Sequence, residues 1–207
     1  DVQPACALVS MAPESASDHG VQYDLMFKVT LYVTGSIFLL TQLLLFWFAF
    51  RYQRTGHKVP FDFAHSTKLE LVWTTIPAIA MAVLVAIGLK QWFTMTSQAP
   101  KGAQQIEIIG KQFNWISRYS GPDGVLGKRA YTNINDQDNI LGLDWNDPKN
   151  LDDIIIPNGE LRLIKDKPVE LIIGSRDVIH DVGLTHFRMK MDAVPGITTT
   201  IWFTPII

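Results

Sequence analysis

VTLYVTGSIFLLTQLLLFWFAF, residues 29–50, contains no charged residue. At 1.5 Å per residue, about 22 apolar residues cross a hydrocarbon core of about 30 Å, so the run predicts a membrane-spanning helix. Trp47, Phe48, Phe50 and Tyr52 crowd its far end, where an aromatic belt belongs. A second uncharged run, LVWTTIPAIAMAVLVAIGL at 71–89, is long enough for a second crossing. Trp73 and Trp92 mark its ends, and Pro77 falls in its first turns, where a missing N–H costs least. Two buried helices of a soluble domain are the alternative, and two such runs in succession make it the weaker one. The connector, 51–68, carries Arg51, Arg54, Lys58 and Lys68 against Asp62 alone. Short loops rich in Lys and Arg stay on the cytoplasmic side. The expectation is a transmembrane hairpin over 25–93, with a cytoplasmic loop at 51–68 and both flanking segments on the outer side.

Upstream, residues 1–24 are polar and rich in small residues, which predicts an irregular arm close to the membrane. Cys6 follows Pro4-Ala5 without a convincing apolar lipobox, so lipid attachment is not expected. The sequence starts on Asp1 rather than Met and shows no signal peptide, which implies processing or a partial sequence. With 18% charged residues and a net charge of −2, nothing favours a nucleic-acid binder. The one cysteine excludes an internal disulfide, a Cys-rich zinc site or an iron–sulfur cluster built by these residues alone.

Beyond Thr94 the pattern changes to short β segments at 105–113, 115–119, 153–156, 160–165, 169–174, 178–182, 187–191 and 198–204. Gly-Pro-Asp-Gly (121–124), Asn-Asp-Pro (146–148), Pro-Asn-Gly (157–159) and Asp-Lys-Pro (166–168) punctuate them. Many short strands with regular turns predict an all-β Greek-key sandwich or barrel over 94–207. Residues 120–151 are polar and strand-poor and read as an inserted surface loop. Within GSRDVIHDVGLTHFRMKMDAVPG (174–196), His180 stands in a β-branched strand and Asp192 leads into an Ala-Val-Pro-Gly turn. An imidazole there is either a hydrogen-bonded core residue or a ligand for copper, zinc or iron. Asp192 is a turn-capping carboxylate or an interface group. Phe113 and Trp115, two apart, are expected on one strand face. Glu70, at the start of the second helix, suits the positive end of the helix dipole.

DVIH followed by MDAVPG resembles subunit II of the haem–copper oxidases, the family that takes electrons from cytochrome c. ELVWTTIPAI from Glu70 resembles the start of that family's second membrane helix, and GKQFNW from Gly110 its first aromatic strand. The resemblance implies a two-helix transmembrane hairpin followed by a cupredoxin-like periplasmic barrel. It implies that His180 is the first histidine ligand of a dinuclear copper centre, that Glu70 stands at a proton-path entrance, that Phe113 and Trp115 lie in the electron-entry region, and that Asp192 faces subunit I near a magnesium site. The family's other ligands sit on a C-x-E-x-C-x3-H-x2-M loop that residues 1–207 do not contain, so the resemblance implies a chain continuing beyond Ile207. Two positions depart from the pattern: Phe113 stands where a tryptophan is usual, and Ile197 where arginine is common. His186, Met189 and Met191 match no ligand position and read as packing or surface residues.

The function so implied is subunit II of a bacterial respiratory oxidase in the inner membrane. Its partners would be subunits I and III, cytochrome c or a cytochrome c domain, membrane lipid, and in one branch alternative complex III. Haems and a further copper would belong to subunit I, with oxygen reduction and proton pumping. Two rivals remain open: a quinol oxidase subunit without copper, and a non-catalytic membrane-anchored copper-binding module.

Overall fold

The computed structural model describes residues 13–53 and 65–207, so Cys6 and the connector's Arg54, Lys58 and Asp62 lie outside the described residues. The chain divides into two units, Tyr23–Phe93 and Asp1–Gln22 with Thr94–Ile207.

Helix α1 runs Asp18–Arg51 and helix α2 Thr67–Met95, both longer than the uncharged runs within them. A charge-free window measures the apolar part, while the hydrogen-bonded helix continues into polar turns. Residues 18–24 of the expected irregular arm are therefore helical. Ser17 caps α1 by accepting the Gly20 N–H at 2.9 Å, and Asp18 places a carboxylate at the positive helix end. Because α2 begins at Thr67, Pro77 lies in the helix interior rather than in its first turns. The Trp73 carbonyl thus lacks the usual i+4 donor, a defect that membrane helices tolerate. Both helices are long and apolar enough to cross a membrane, and the most apolar window of each is wholly unburied in the single chain.

The β domain contains β1 (Gln104–Lys111), β2 (Asn114–Tyr119), β3 (Ile154–Ile156), β4 (Val169–Ser175), β5 (His180–Leu184), β6 (Met189–Ala193) and β7 (Thr199–Phe203). A five-stranded sheet has the order β3-β2-β1-β4-β7, and β5-β6 form a separate hairpin. The first four strands follow the 4-1-2-3 order of a Greek key, with β4 parallel to β1. A parallel pair needs a crossover of about a dozen residues, and residues 157–168 supply it. The strand expected at 160–165 is part of this crossover. Leu161 and Leu163 alternate inward against the core as a strand would, but the Arg162 N–H is donated to the Tyr119 hydroxyl instead of to a ladder. The inner core joins Ile106, Ile108, Leu171, Ile173, Ile201 and Phe203 of the sheet to Val182, Met189 and Ala193 of the hairpin.

Residues 120–151 are more than a surface loop. Leu141 and Leu143 from this insertion cover Ile109 and Ile116, so β1 and β2 are buried on both faces. Asp147 organises the segment: its carboxylate accepts the Lys128 N–H at 2.9 Å and the Lys149 N–H at 3.2 Å, capping the short 3-10 turn Pro148–Asn150. These two backbone donors, Lys128 first, hold its carboxyl below the usual range. A depressed pKa contributes stability above the unfolded value near 3.8 that is lost as pH falls through the folded value. The protection factors of the Lys128 and Lys149 amides are expected to stay constant from neutrality down to about pH 5 and to fall below about pH 4. Asp147→Ala should show the lower protection at every pH.

Candidate functional site

The rim at the C-terminal ends of β1 and β4 carries most of the residues singled out above. β1 and β4 run parallel, so the β1–β2 turn and the β4–β5 loop leave the sheet side by side. Two hydrogen bonds join them: Arg176 N–H to the Gly110 carbonyl at 2.9 Å, and Gln112 N–H to an Asp177 carboxylate oxygen at 2.6 Å.

His180 opens β5, with its side chain 16% exposed. Its ring sits edge-on to the indole of Trp115, centroids 5.5 Å apart. Gly110 makes the space: a Cβ there would stand 2.8 Å from His180 Cδ2 and 3.0 Å from Trp115 Cζ3. His180 Nε2 lies 2.6 Å from Asp177 Oδ1. That contact first, and the Gln112 N–H second, hold the Asp177 carboxyl down at about 2. A carboxylate fixing one ring nitrogen leaves the other, Nδ1, as the position open to a metal.

Phe113 departs from expectation. It occupies the two-residue turn between Lys111 and Asn114, which are paired, and is 98% exposed. The turn breaks the strand alternation, so Phe113 points to solvent while Trp115 packs against the inner core and His180; the two do not share a face. Asp192 lies in β6 opposite Asp181 of β5, not in the turn. His180 pairs with Ala193, and alternation directs Asp192 to the exposed face of the hairpin, away from the imidazole. His186 is exposed, Met189 is buried and Met191 packs on the core. Glu70 belongs to the helical unit, in the first turn of α2, and its carboxylate lies 2.8 Å from His65 Nδ1.

Sequence reasoning missed Asp177 and His65 as participants, and read Gly110 as a motif position without its steric role beside His180. Asp177 had a legible signal, three residues before His180 in DVIH; His65, before the α2 N-terminus, had none.

The donor set can be weighed against copper. His180 fits, with one nitrogen fixed by a carboxylate and the other available at a rim. The sole cysteine lies outside the described residues, and among the described residues no group of three His, Cys, Asp or Glu side chains converges. Of the site residues expected from the sequence, His180 is therefore the one that could serve as a ligand of such a centre.

Fold and site together define a membrane-anchored β-domain protein with one ligand-type histidine on its rim. The family model for the cytochrome c oxidase subunit II transmembrane domain matches residues 7–91. The alternative cytochrome c oxidase subunit 2 of Bradyrhizobium diazoefficiens is 35% identical over 180 residues, 86% of this chain and 64% of that protein. The cytochrome c oxidase subunit 2 of Cereibacter sphaeroides is 24% identical over 198 residues, 91% of this chain and 64% of that protein. A solved periplasmic domain of oxidase subunit II from Bradyrhizobium japonicum, 27% identical, covers 55% of this chain and 69% of that one at a TM-score of 0.33, a superposition that adds nothing to the fold. The chain belongs to the cytochrome c oxidase subunit II family and spans under two thirds of the length of these two curated relatives.

Proposed function

We propose that this chain is the electron-entry subunit of a respiratory terminal oxidase, with its β domain in the periplasm and its two helices in the bacterial inner membrane. The observation that carries the reading is the His180 imidazole held between Asp177 and Trp115, in a family whose members are oxidase subunits. His180 would hold copper through Nδ1, together with ligands outside residues 1–207. The copper centre supplies one-electron transfer. Asp177 keeps the ring nitrogen Nε2 occupied, and the strand-borne Gly110 and Trp115 fix the ring plane, so the ligand is positioned before a metal arrives. A site held rigid in both oxidation states needs little reorganisation, which suits fast electron transfer.

Phe113 and Trp115 form the region of electron entry from cytochrome c, and Asp192 faces subunit I, where magnesium would bind. Glu70, paired with His65 at the start of α2, stands at the entrance of a proton path into subunit I. Oxygen reduction and proton pumping belong to that partner, which carries the haems; subunit III completes the complex.

The test is the copper content and electron paramagnetic resonance spectrum of the oxidase complex purified with its full-length subunit. Two coppers sharing one unpaired electron are expected, and His180→Ala should abolish that signal and cytochrome c oxidation while the β-sheet circular dichroism stays. A complete protein that binds no copper and oxidises quinol, or an unaltered signal in His180→Ala, overturns the reading.

A further inference from the structure

We infer that a cavity on the outer face of the sheet, between the insertion and the turn that follows β6, binds a short aliphatic carboxylate. This site is separate from electron entry and does not depend on that reading.

The cavity has a volume of about 440 Å³, within the range of small-molecule sites. Ile109 of β1 and Gly174 of β4 line it from the sheet, Ile140 and Leu141 from the insertion, and Val194 and Ile197 from the turn. Two guanidiniums, Arg129 and Arg176, complete the lining. A mostly apolar hollow with two cations suits an anion that carries a hydrocarbon body. Such a ligand would tie together the insertion, the end of β4 and the turn after β6.

Gly174 leaves room for the first cation: a Cβ there would stand 3.4 Å from Arg129 Nη2 and 3.2 Å from Ile109 Cδ1. Arg129 Nε lies 2.7 Å from the buried Glu107 carboxylate, which holds the guanidinium in place. Arg176, two residues beyond Gly174 and with its side chain 18% exposed, reaches Asp136 through Nη2 at 2.5 Å. A guanidinium carries five N–H donors, and one ion-paired nitrogen leaves others to bind a second carboxylate. The two acids also select the ligand's charge. They offset most of the long-range attraction, so a doubly charged phosphate gains little over a monoanion. The apolar walls then favour the anion with carbon atoms to bury.

The experiment is saturation-transfer nuclear magnetic resonance of butyrate with the purified oxidase complex, its subunit full-length. A saturable signal with a Kd of about 1 mM is expected, since a ligand of this size supports little more. Arg176→Gln and Arg129→Gln should each weaken binding by about tenfold. Neither variant strands a buried carboxylate, because Asp136 is exposed and Glu107 keeps Arg118 at 3.0 Å. Melts and the copper spectrum should therefore be unchanged in both. Acetate, which lacks the hydrocarbon body, and butyramide, which lacks the charge, should each bind about tenfold more weakly than butyrate. Equimolar phosphate should not displace butyrate. No saturable signal, butyramide binding as tightly as butyrate, unchanged affinity in both variants, or displacement by phosphate overturns the inference. So does binding to the detergent-solubilised chain that vanishes in the complex, which would assign the cavity to subunit contact. None of these outcomes bears on the electron-entry reading, which stands or falls on the copper spectrum of the unsubstituted complex.

Discussion

Arg118→Met is expected to destabilise the β domain by about 3–5 kcal/mol. The guanidinium is 1% exposed and engages four partners: Glu107 at 3.0 Å, Asp153 at 2.5 Å, Asn150 Oδ1 at 2.6 Å and the Gly127 carbonyl at 2.8 Å. Glu107 lies directly opposite on β1, while Gly127, Asn150 and Asp153 come from the inserted segment and its exit. Arg118 thus ties the insertion to the outer face of the sheet. Methionine fills much of the volume but leaves the Asp153 carboxylate buried with no counter-charge; Glu107 retains Arg129 at 2.7 Å. An unpaired buried charge is what makes breaking such a network costly, whereas removing all its charges together is nearly neutral. The triple variant Arg118→Met, Glu107→Gln, Asp153→Asn should therefore recover most of the loss. Denaturant melts of the detergent-solubilised chain measure this, and a cost below about 1 kcal/mol for Arg118→Met would show the network to be energetically idle.

That network also shows where sequence reading stops. The two helices were legible because a charge-free run of membrane length has few other meanings. The β strands followed from turn punctuation, and His180 from its motif. Residues 120–151 look like a loop because their apolar groups, Leu141 and Leu143, are sparse and have no strand period, yet their partners Ile109 and Ile116 wait on a face that period-2 alternation alone would assign to solvent. Arg118 in a strand likewise reads as a surface charge until Glu107 and Asp153 are known to surround it. The segment at 160–165 alternates as a strand does; whether it pairs depends on the neighbour it meets, which is a tertiary fact. Phe113 was displaced from its expected face by a two-residue turn, the smallest error that inverts an alternation.

Gly110→Val should displace the His180 imidazole before it costs the fold. Gly110 pairs with Trp115 on β2 and with Ser175 on β4, in a central strand where a glycine ordinarily weakens the sheet. Its reason is steric: even a first Cβ would lie 2.8 Å and 2.9 Å from His180 Cδ2 and Cγ, and 3.0 Å from the indole. Valine has good β propensity, so the backbone gains while the rings must move. Overpacking of this kind costs about 1–3 kcal/mol, which a domain with two buried cores survives. The imidazole is the part able to yield, since its strand begins at residue 180 and only the Asp177 contact and Trp115 restrain it. The expected result is a folded chain, destabilised by no more than about 1–3 kcal/mol, in which the His180 ring nitrogens shift in nitrogen-15 spectra and the Asp177 contact is lost. In the oxidase complex the same substitution should remove the copper signal as completely as His180→Ala does. Gly110→Ala should fall between, because one methyl can be absorbed by a small ring rotation. If Gly110→Val keeps the nitrogen-15 shifts of the native imidazole, the glycine is not what orients the ligand, and the fixed ring plane must come from Asp177 alone.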